Sequence, residues 1–216
     1  MAKAGTPSRA TGRGSDRSEL TRSSLIEAAL WALKEHGYGG ASARAIAERA
    51  GVNQGLVFYH FGSVANLLLA ALDNVSNERL RIYGSATSVV KSPSELVDFA
   101  EGIFRNDLEA GYITVLAEMI AGASSTPGLG PEVAARIEPW RDFARAAIET
   151  SLGESPLAGV LPASDVAHAI VALYLGLEML SHLDGDSAPA LALFDHAKRF
   201  ASLLEAMSNP TTMKES

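Results

Sequence analysis

The chain has 216 residues, 47% of them hydrophobic and 20% charged, with a formal net charge of −7 at pH 7 and no cysteine. This composition excludes a disordered chain, a disulfide scaffold and any site that needs a cysteine thiolate. No apolar run approaches the roughly 18 residues that span a bilayer, and the first twenty residues hold no apolar signal segment. We therefore expect a cytoplasmic protein with no membrane partner.

Charge is unevenly distributed along the chain. Residues 1–66 contain eight lysines and arginines against five acidic residues, a net of +3, whereas residues 67–216 carry a net of −10. Such asymmetry suggests that the first part can approach a polyanion. A surplus of three charges is also compatible with chance, so it does not by itself identify a nucleic-acid-binding protein.

The first twenty residues are rich in glycine, serine, threonine, alanine and arginine and show no hydrophobic periodicity. They are predicted to form a flexible basic arm. Such an arm can enter the minor groove of DNA, as homeodomain arms do, or can simply be a solvated tail.

From residue 21 the pattern becomes helical. Thr21 can cap a first helix whose apolar residues recur at spacings of three and four as far as Gly37. Ser42 is expected to cap a short second helix that ends at Gly51. Asn53 is expected to cap a third helix over residues 54–61.

The short third helix carries polar tips beside apolar side chains. Its spacing predicts that Gln54, Tyr59 and His60 face outward, and that Leu56, Val57 and Phe61 face the core. Outward amide, phenol and imidazole groups can contact phosphates and base edges. Two short helices joined by a glycine turn and braced by a first helix predict a helix-turn-helix domain over residues 21–66.

Apolar residues at helical spacing continue through the rest of the chain. Ser63 is expected to cap a long fourth helix. Ser164 is expected to cap a later helix that is apolar on most of its faces. The sequence therefore predicts an all-α protein of about nine helices, in which the helix-turn-helix domain is followed by a larger helical domain over 67–216. The predicted later helices span 93–107, 112–121, 131–152, 164–182 and 189–207.

Five motifs occur together at the start of the chain: TR at 21–22, EAAL at 27–30, EHGY at 35–38, SARAIAERAGV at 42–52 and GLVFYHF at 55–61. With this spacing, residues 21–72 resemble the DNA-binding domain of the TetR family of bacterial transcriptional repressors. The resemblance implies a DNA-binding domain followed by a ligand-binding and dimerisation domain. The rest of the chain is similar to the family only in length and helical character.

The resemblance also implies residue roles. It assigns base reading to Arg44, Gln54 and Gly55, phosphate or sugar contacts to Tyr59 and His60, and a phosphate contact to Ser42 at a helix N-terminus, which favours anions. The full set of predicted DNA-binding residues is Ser42, Arg44, Asn53, Gln54, Gly55, Tyr59 and His60.

Two positions depart from the family pattern. Phe58 stands where the family usually has tyrosine, so a hydroxyl contact is lost. Val64 stands where it usually has lysine, so a contact to the DNA backbone is lost as well. Both departures predict weaker DNA binding unless another residue, such as one in the arm, replaces these contacts.

The predicted C-terminal domain offers a dimer surface and a ligand site. One recognition helix reads few base pairs, so we expect a homodimer whose recognition helices lie about 34–36 Å apart. Because the 164–182 helix is too apolar to face water, it is expected to pair with the last helix and their symmetry mates; the alternative is burial within one subunit. An apolar or amphipathic small-molecule effector is expected among the aromatic and methionine side chains of Phe99, Phe104, Tyr112, Met119, Trp140, Phe143 and Tyr174.

Four polar side chains stand on otherwise apolar helices: Glu118, His168, Glu178 and His182. One of them could orient a ligand, and an acid among them would favour a cation, although each is more commonly solvent-facing.

Three functions fit the pattern to different degrees. The resemblance favours a repressor that leaves its operator DNA when the effector binds. A helical enzyme is disfavoured because the sequence contains no zinc-protease, nucleophile-elbow, P-loop or dinucleotide-binding motif, and no cofactor or metal is expected. A helical protein-interaction module without specific DNA binding is the remaining alternative.

Overall fold

The computed structural model describes residues 10–84, 90–152 and 162–208, and these residues form α-helices and connecting turns without strands. The all-α prediction is confirmed, although the described residues form ten helices rather than about nine. The helices are α1 Ala10–Gly40, α2 Ala43–Ala50, α3 Gly55–Phe61, α4 Val64–Gly84, α5 Pro93–Ala110, α6 Tyr112–Ala123, α7 Leu129–Ala135, α8 Glu138–Leu152, α9 Ala163–Asp184 and α10 Ala188–Ser208.

The chain divides into two compact units within α4, between Asn74 and Val75. The sequence placed this boundary earlier, after residue 66. Each unit has its own apolar core. The N-terminal unit buries aliphatic side chains of α1 to α4, among them Leu25, Leu33, Ile46, Val57, Leu67 and Leu68.

Helix α1 starts well before the predicted position. Because it begins at Ala10, the prediction of a flexible arm is wrong for residues 10–20, and residues 1–9 lie outside the described part of the chain. Thr21 does not cap the helix: its hydroxyl donates to the Arg17 carbonyl, 3.0 Å away, one turn back inside the helix. The side chains of 15–20 are exposed, so this extension rests on helix propagation rather than on packing.

The capping signals read at Ser42, Gly51 and Ser63 are present. The Ser42 hydroxyl accepts from the Ala45 amide at 3.2 Å, and the Ser63 hydroxyl accepts from the Asn66 amide at 3.0 Å. Gly51 ends α2 with φ of 68°, a conformation that glycine adopts without steric cost. These local bonds determine where α2 and α4 begin and where the turn before α3 lies.

The C-terminal unit corrects two predicted elements. The helix expected over 131–152 is two helices, because Pro139 near the start of α8 lacks an N–H and its ring would clash with a carbonyl one turn back in a continuous helix. Ser164 does not cap α9. That helix begins at Ala163, and the Pro162 carbonyl accepts from the Asp165 and Val166 amides. The Ser164 hydroxyl instead contacts the Asp165 carboxylate.

Helix α9 packs against α8, and α10 packs against α5, yet both leave apolar side chains uncovered. On α9 these are led by Leu173, Leu180 and Leu183, of which Leu183 is 74% exposed. By length and composition α9 is long and apolar enough to cross a membrane, a test that core helices of soluble proteins also pass. Because these leucines are exposed in the single chain, the alternative that α9 is buried within one subunit is wrong. The exposed set continues on α10 with Leu193, Phe200, Leu203 and Met207.

Candidate DNA-binding helix and ligand site

Helix α3 is held by one buried side chain and presents the predicted polar ones outward. Val57 is fully buried, whereas Tyr59 is 79% exposed and Gln54 is exposed. His60 is half-buried, and its ring packs edge-on against the Tyr59 ring with centroids 5.0 Å apart. Tyr59 on α3 and Gln54, which directly precedes the helix, face outward as the sequence predicted, whereas His60 is half-buried. Of the three side chains expected in the core, Val57 is buried, and Leu56 and Phe61 are half-buried.

Asn53 and Gly55 form the first turn of this helix. The Asn53 Oδ1 accepts from the Gly55 amide at 2.7 Å. A Cβ at position 55 would lie 3.1 Å from that oxygen, which is tighter than ordinary contact. Glycine therefore permits the cap, and both residues have a structural role in addition to the DNA contact that the sequence predicted for them.

The remaining predicted contacts lie at the N-terminus of α2. Ser42 and Arg44 are exposed there. Two other arginines of this unit stack on aromatic rings: Arg49 lies 4.8 Å from the Trp31 ring centroid, and Arg22 lies 5.1 Å from that of Phe61. These contacts brace α1 against α2 and α3.

The two departures from the family pattern are also near α3. Phe58 is half exposed. Val64 is the half-buried first residue of α4. Neither side chain can donate a hydrogen bond to phosphate.

Most of the predicted ligand residues form linked aromatic groups in the C-terminal unit. Phe99 and Trp140 both pack on Phe143, with centroids 6.3 and 5.8 Å away. Phe104 packs edge-on against Tyr174 at 5.9 Å. It also packs against Phe194 of α10, a residue that the sequence did not single out.

The two other ligand residues have different surroundings. Met119 is fully buried within α6. The Arg79 guanidinium lies over two rings: its Cζ atom is 5.2 Å from the centroid of the Tyr112 ring and 4.4 Å from that of the Trp140 ring. Arg79 therefore links aromatic residues that come from separate helices.

Arg79 belongs to a group that we call the buried polar cluster: Arg79, Asp107, Tyr174 and Glu178. Arg79 forms an ion pair with Asp107, and the Tyr174 hydroxyl donates to the same carboxylate at 2.5 Å. Tyr174 also interacts with Glu178. The Asp107 side chain is 0% exposed and Glu178 is 2% exposed, so two carboxylates and one guanidinium share an apolar interior.

Three atoms of the cluster have no hydrogen-bond partner among the described residues: Arg79 Nε, Asp107 Oδ1 and Glu178 Oε1. A buried polar atom left without a partner costs about 1–3 kcal/mol. Such a group therefore needs either water or a bound molecule to complete its hydrogen bonds.

Burial raises the pKa of Glu178 to about 7, an effect that the Arg79 charge and the Tyr174 hydrogen bond only partly offset. Burial likewise raises the pKa of Tyr174, with the neighbouring Glu178 charge adding to the shift. Both shifts have the same cause, since ionising either side chain places a further negative charge in the interior.

The raised pKa of Glu178 predicts that its contribution to stability falls as pH rises. Below about pH 4.5 the residue is protonated in both the folded and the unfolded states. Between about 4.5 and 7 only the folded chain keeps the proton, so the free energy of unfolding drops by about 3 kcal/mol in total. Glu178→Gln should remove this dependence. Chemical unfolding at pH 5 and pH 8 in a Trp31→Phe background, followed by Trp140 fluorescence, measures the change. The exposed Glu109→Gln on α5 is the control. An equal pH dependence in wild type and Glu178→Gln would contradict the assignment.

Sequence reasoning named Tyr174 and Glu178 but missed Arg79 and Asp107. A signal was available in the helical spacing. Arg79 follows the buried Val75 by four residues, and Asp107 follows the buried Ile103 by four, so both lie on inward faces. Of the other polar side chains noted in the sequence, His168 and His182 are exposed and Glu118 is half-buried.

Comparison with known proteins connects the N-terminal unit to a family. Residues 25–71 match the family model described as bacterial regulatory proteins, tetR family. The HTH-type transcriptional repressor AcnR of Corynebacterium glutamicum is 40% identical over 104 residues, which make up 48% of this chain and 51% of that protein. The chain thus spans about half the length of the curated relatives it matches.

Solved structures extend the likeness to the whole fold. A TetR-family regulator from Cytophaga hutchinsonii matches with a TM-score of 0.71 at 16% identity, covering 86% of this chain and 95% of that one. FadR from Bacillus subtilis, solved in complex with stearoyl-CoA, matches with a TM-score of 0.68 at 14% identity, covering 83% and 96%. At these identities the likeness establishes the fold.

Proposed function

This chain belongs to the TetR family of bacterial transcriptional regulators, and from that premise we propose that it is a cytoplasmic, non-enzymatic repressor that binds operator DNA. The repressor leaves a near-palindromic operator when a small apolar or amphipathic effector binds the C-terminal unit. The observation that carries the proposal is the exposure of polar side chains at α3: Val57 anchors this short helix in the core, while Tyr59 and the preceding Gln54 face solvent.

Each predicted contact suits one part of a DNA duplex. Gln54 at the start of α3 offers an amide that pairs with adenine edges, and Arg44 of α2 offers a guanidinium for guanine. Tyr59 and His60 supply donors for phosphates, which determine the register of the helix in the groove. Ser42 lies at the N-terminus of α2, whose amide groups favour an anion.

Two copies of α3 are needed to read a useful length of DNA, and the exposed apolar surfaces of α9 and α10 support dimerisation through these helices. Leu173 and Leu180 lie two turns apart on one face of α9, and Phe200 and Met207 do so on α10. Pairing α9 and α10 with their symmetry mates would form a four-helix bundle and remove these side chains from water.

The aromatic groups of the C-terminal unit support an effector with an apolar part. Aromatic linings suit small apolar molecules or the apolar part of amphipathic ones. FadR, which shares the fold, was solved with stearoyl-CoA, itself an amphipathic molecule.

Helix α4 provides the route between effector and DNA. It supplies Leu67 and Leu68 to the core of the N-terminal unit and Arg79 to the buried polar cluster. A ligand that displaces Arg79 would shift α4 and with it the spacing of the two recognition helices. Such a ligand binds the conformation that does not bind DNA more tightly than the one that does. By linkage, the ratio of these two ligand affinities is the largest factor by which the ligand can lower operator affinity.

Fluorescence anisotropy with the DNA that flanks the gene tests the proposal. The expected result at near-physiological salt is saturable binding at about nanomolar concentration, at least about 1,000-fold tighter than binding to an unrelated duplex. Equal affinity for both duplexes, repeated with fragments covering the rest of the genome, would contradict specific operator binding.

Replacing Val64 by lysine should restore the missing backbone contact. A lysine stem can lie along the surface at the half-buried start of α4 while its ammonium group reaches a phosphate. We expect Val64→Lys to tighten DNA binding and to steepen the plot of log affinity against log salt by about 0.9, the value for one phosphate. Anisotropy titrations over a series of salt concentrations measure both. Val64→Met, which has similar length without charge, is the control, and an equal salt slope in both variants would rule out this contact.

A further inference from the structure

The buried polar cluster has two acceptors and one donor that the described protein leaves unpaired. Asp107 Oδ1 and Glu178 Oε1 are the acceptors, and Arg79 Nε is the donor. Both carboxylates lie against the same Tyr174 hydroxyl, which places the two acceptor groups near each other. A bound group that completes this set must therefore bring N–H or O–H donors in excess of acceptors.

The charges of the cluster favour a cationic group over an anionic one. Arg79 is already paired with Asp107, so no positive charge remains to balance Glu178 once it ionises. Burial opposes that ionisation and raises the pKa of Glu178. A cation with N–H donors would pair with the ionised carboxylate and bond both unpaired oxygens, whereas a carboxylate ligand would meet two carboxylates.

Aromatic rings adjoin the same place. The rings of Tyr112 and Trp140 both lie against the Arg79 guanidinium, and Phe104 packs on Tyr174. Rings so placed can contact an apolar body attached to the cationic group.

We propose that the effector is an apolar molecule bearing a primary ammonium or amidinium group, and that this group binds between Asp107 and Glu178. The proposal rests on the proposed function in that it names the chemical class of the effector. It goes further by assigning recognition of the effector to a pair of carboxylates rather than to the aromatic groups alone.

Four probes of equal alkyl chain length test the proposal on the full-length protein: decylammonium, decyltrimethylammonium, decanol and decanoate. The chain has two tryptophans, so a Trp31→Phe background makes Trp140, which lies on Arg79, the fluorescent reporter. At pH 8, above the pKa of Glu178, decylammonium should bind at least about tenfold tighter than each of the other three. The trimethylated probe has the same charge without N–H donors, so it separates hydrogen bonding from charge.

A matched pair of variants locates the preference. Glu178→Gln keeps the size of the side chain but removes its charge, and the preference for decylammonium over decanol should fall below about threefold. Glu109→Gln makes the same change at an exposed position of α5 and should keep the full preference. Three outcomes would overturn the proposal: decanoate or decanol binding as tightly as decylammonium, an unchanged preference in Glu178→Gln, or no fluorescence change with any probe.

These measurements use free protein, so they are independent of DNA binding. A chain that binds its operator but shows no ammonium preference would overturn the effector class and leave the repressor intact. A chain that shows the preference but binds no operator would overturn the proposed function and leave the ligand site intact.

Discussion

Replacing Gln54, Tyr59 and His60 together by alanine is expected to weaken operator binding by more than about 100-fold. Tyr59 and His60 lie on α3, and Gln54 directly precedes it. Their removal takes away an adenine-pairing amide and two phosphate donors, each contact contributing about 1–3 kcal/mol. None of them is among the buried residues of the unit core, which relies on Val57 at this helix, so the fold should persist. Anisotropy with operator DNA measures the loss, and circular dichroism checks the helices.

The control variant replaces Arg145, Glu149 and Thr150 of α8, which are exposed, by alanine. Like the first triple variant, it leaves the net charge of the protein unchanged. It should bind operator like the wild type. If the α3 variant still binds the operator, the proposal that α3 contacts the operator bases is wrong. The exposed Phe58 and Tyr59 would then favour the alternative of a protein-interaction module.

Substituting glutamate for both Leu173 and Leu180 should convert the dimer to monomers and abolish specific DNA binding with it. The two leucines are 60% and 57% exposed in the single chain and face the same side of α9. Burying four carboxylates across a two-fold interface costs several kcal/mol each unless they are paired. A monomer presents one α3 and reads one half-site, so we expect operator affinity to fall by more than about 100-fold.

Sedimentation equilibrium and anisotropy on the same samples check both parts of this prediction. Ile120→Glu introduces a glutamate at a partly exposed position of α6 and should remain dimeric. A Leu173→Glu/Leu180→Glu variant that still sediments as a dimer would exclude this face as the interface. Wild-type protein that requires detergent to stay in solution would instead favour a membrane-facing α9.

The N-terminal unit could be read largely from its sequence because short-range bonds determine its turns. Ser42, Asn53 and Ser63 each accept a hydrogen bond from an amide two or three residues ahead, and Gly51 ends α2 in the left-handed region. Interactions of this range depend on residue type and spacing alone. These turns also set the orientation of α3 between them, in which Val57 is the buried side chain.

The buried polar cluster could not be read in the same way, because its members are far apart in sequence. Arg79 and Asp107 belong to different helices, and only packing brings their charges together. Glu178 looked like a solvent-facing acid on an apolar helix, which is the usual situation for glutamate. The start of α1 was missed for another reason: a polar segment without periodicity can still propagate a helix that is already nucleated.

The central claim is that a two-fold dimer reads DNA with two copies of α3. Measuring operator affinity after changing the spacing of the half-sites tests this claim most directly. Inserting about five base pairs at the centre of the operator turns one half-site to the opposite face of the duplex without changing a contacted base. We predict that anisotropy will show affinity falling to that of the unrelated duplex. Unchanged affinity for the lengthened operator would contradict the account, because each half-site would then be read independently of the dimer.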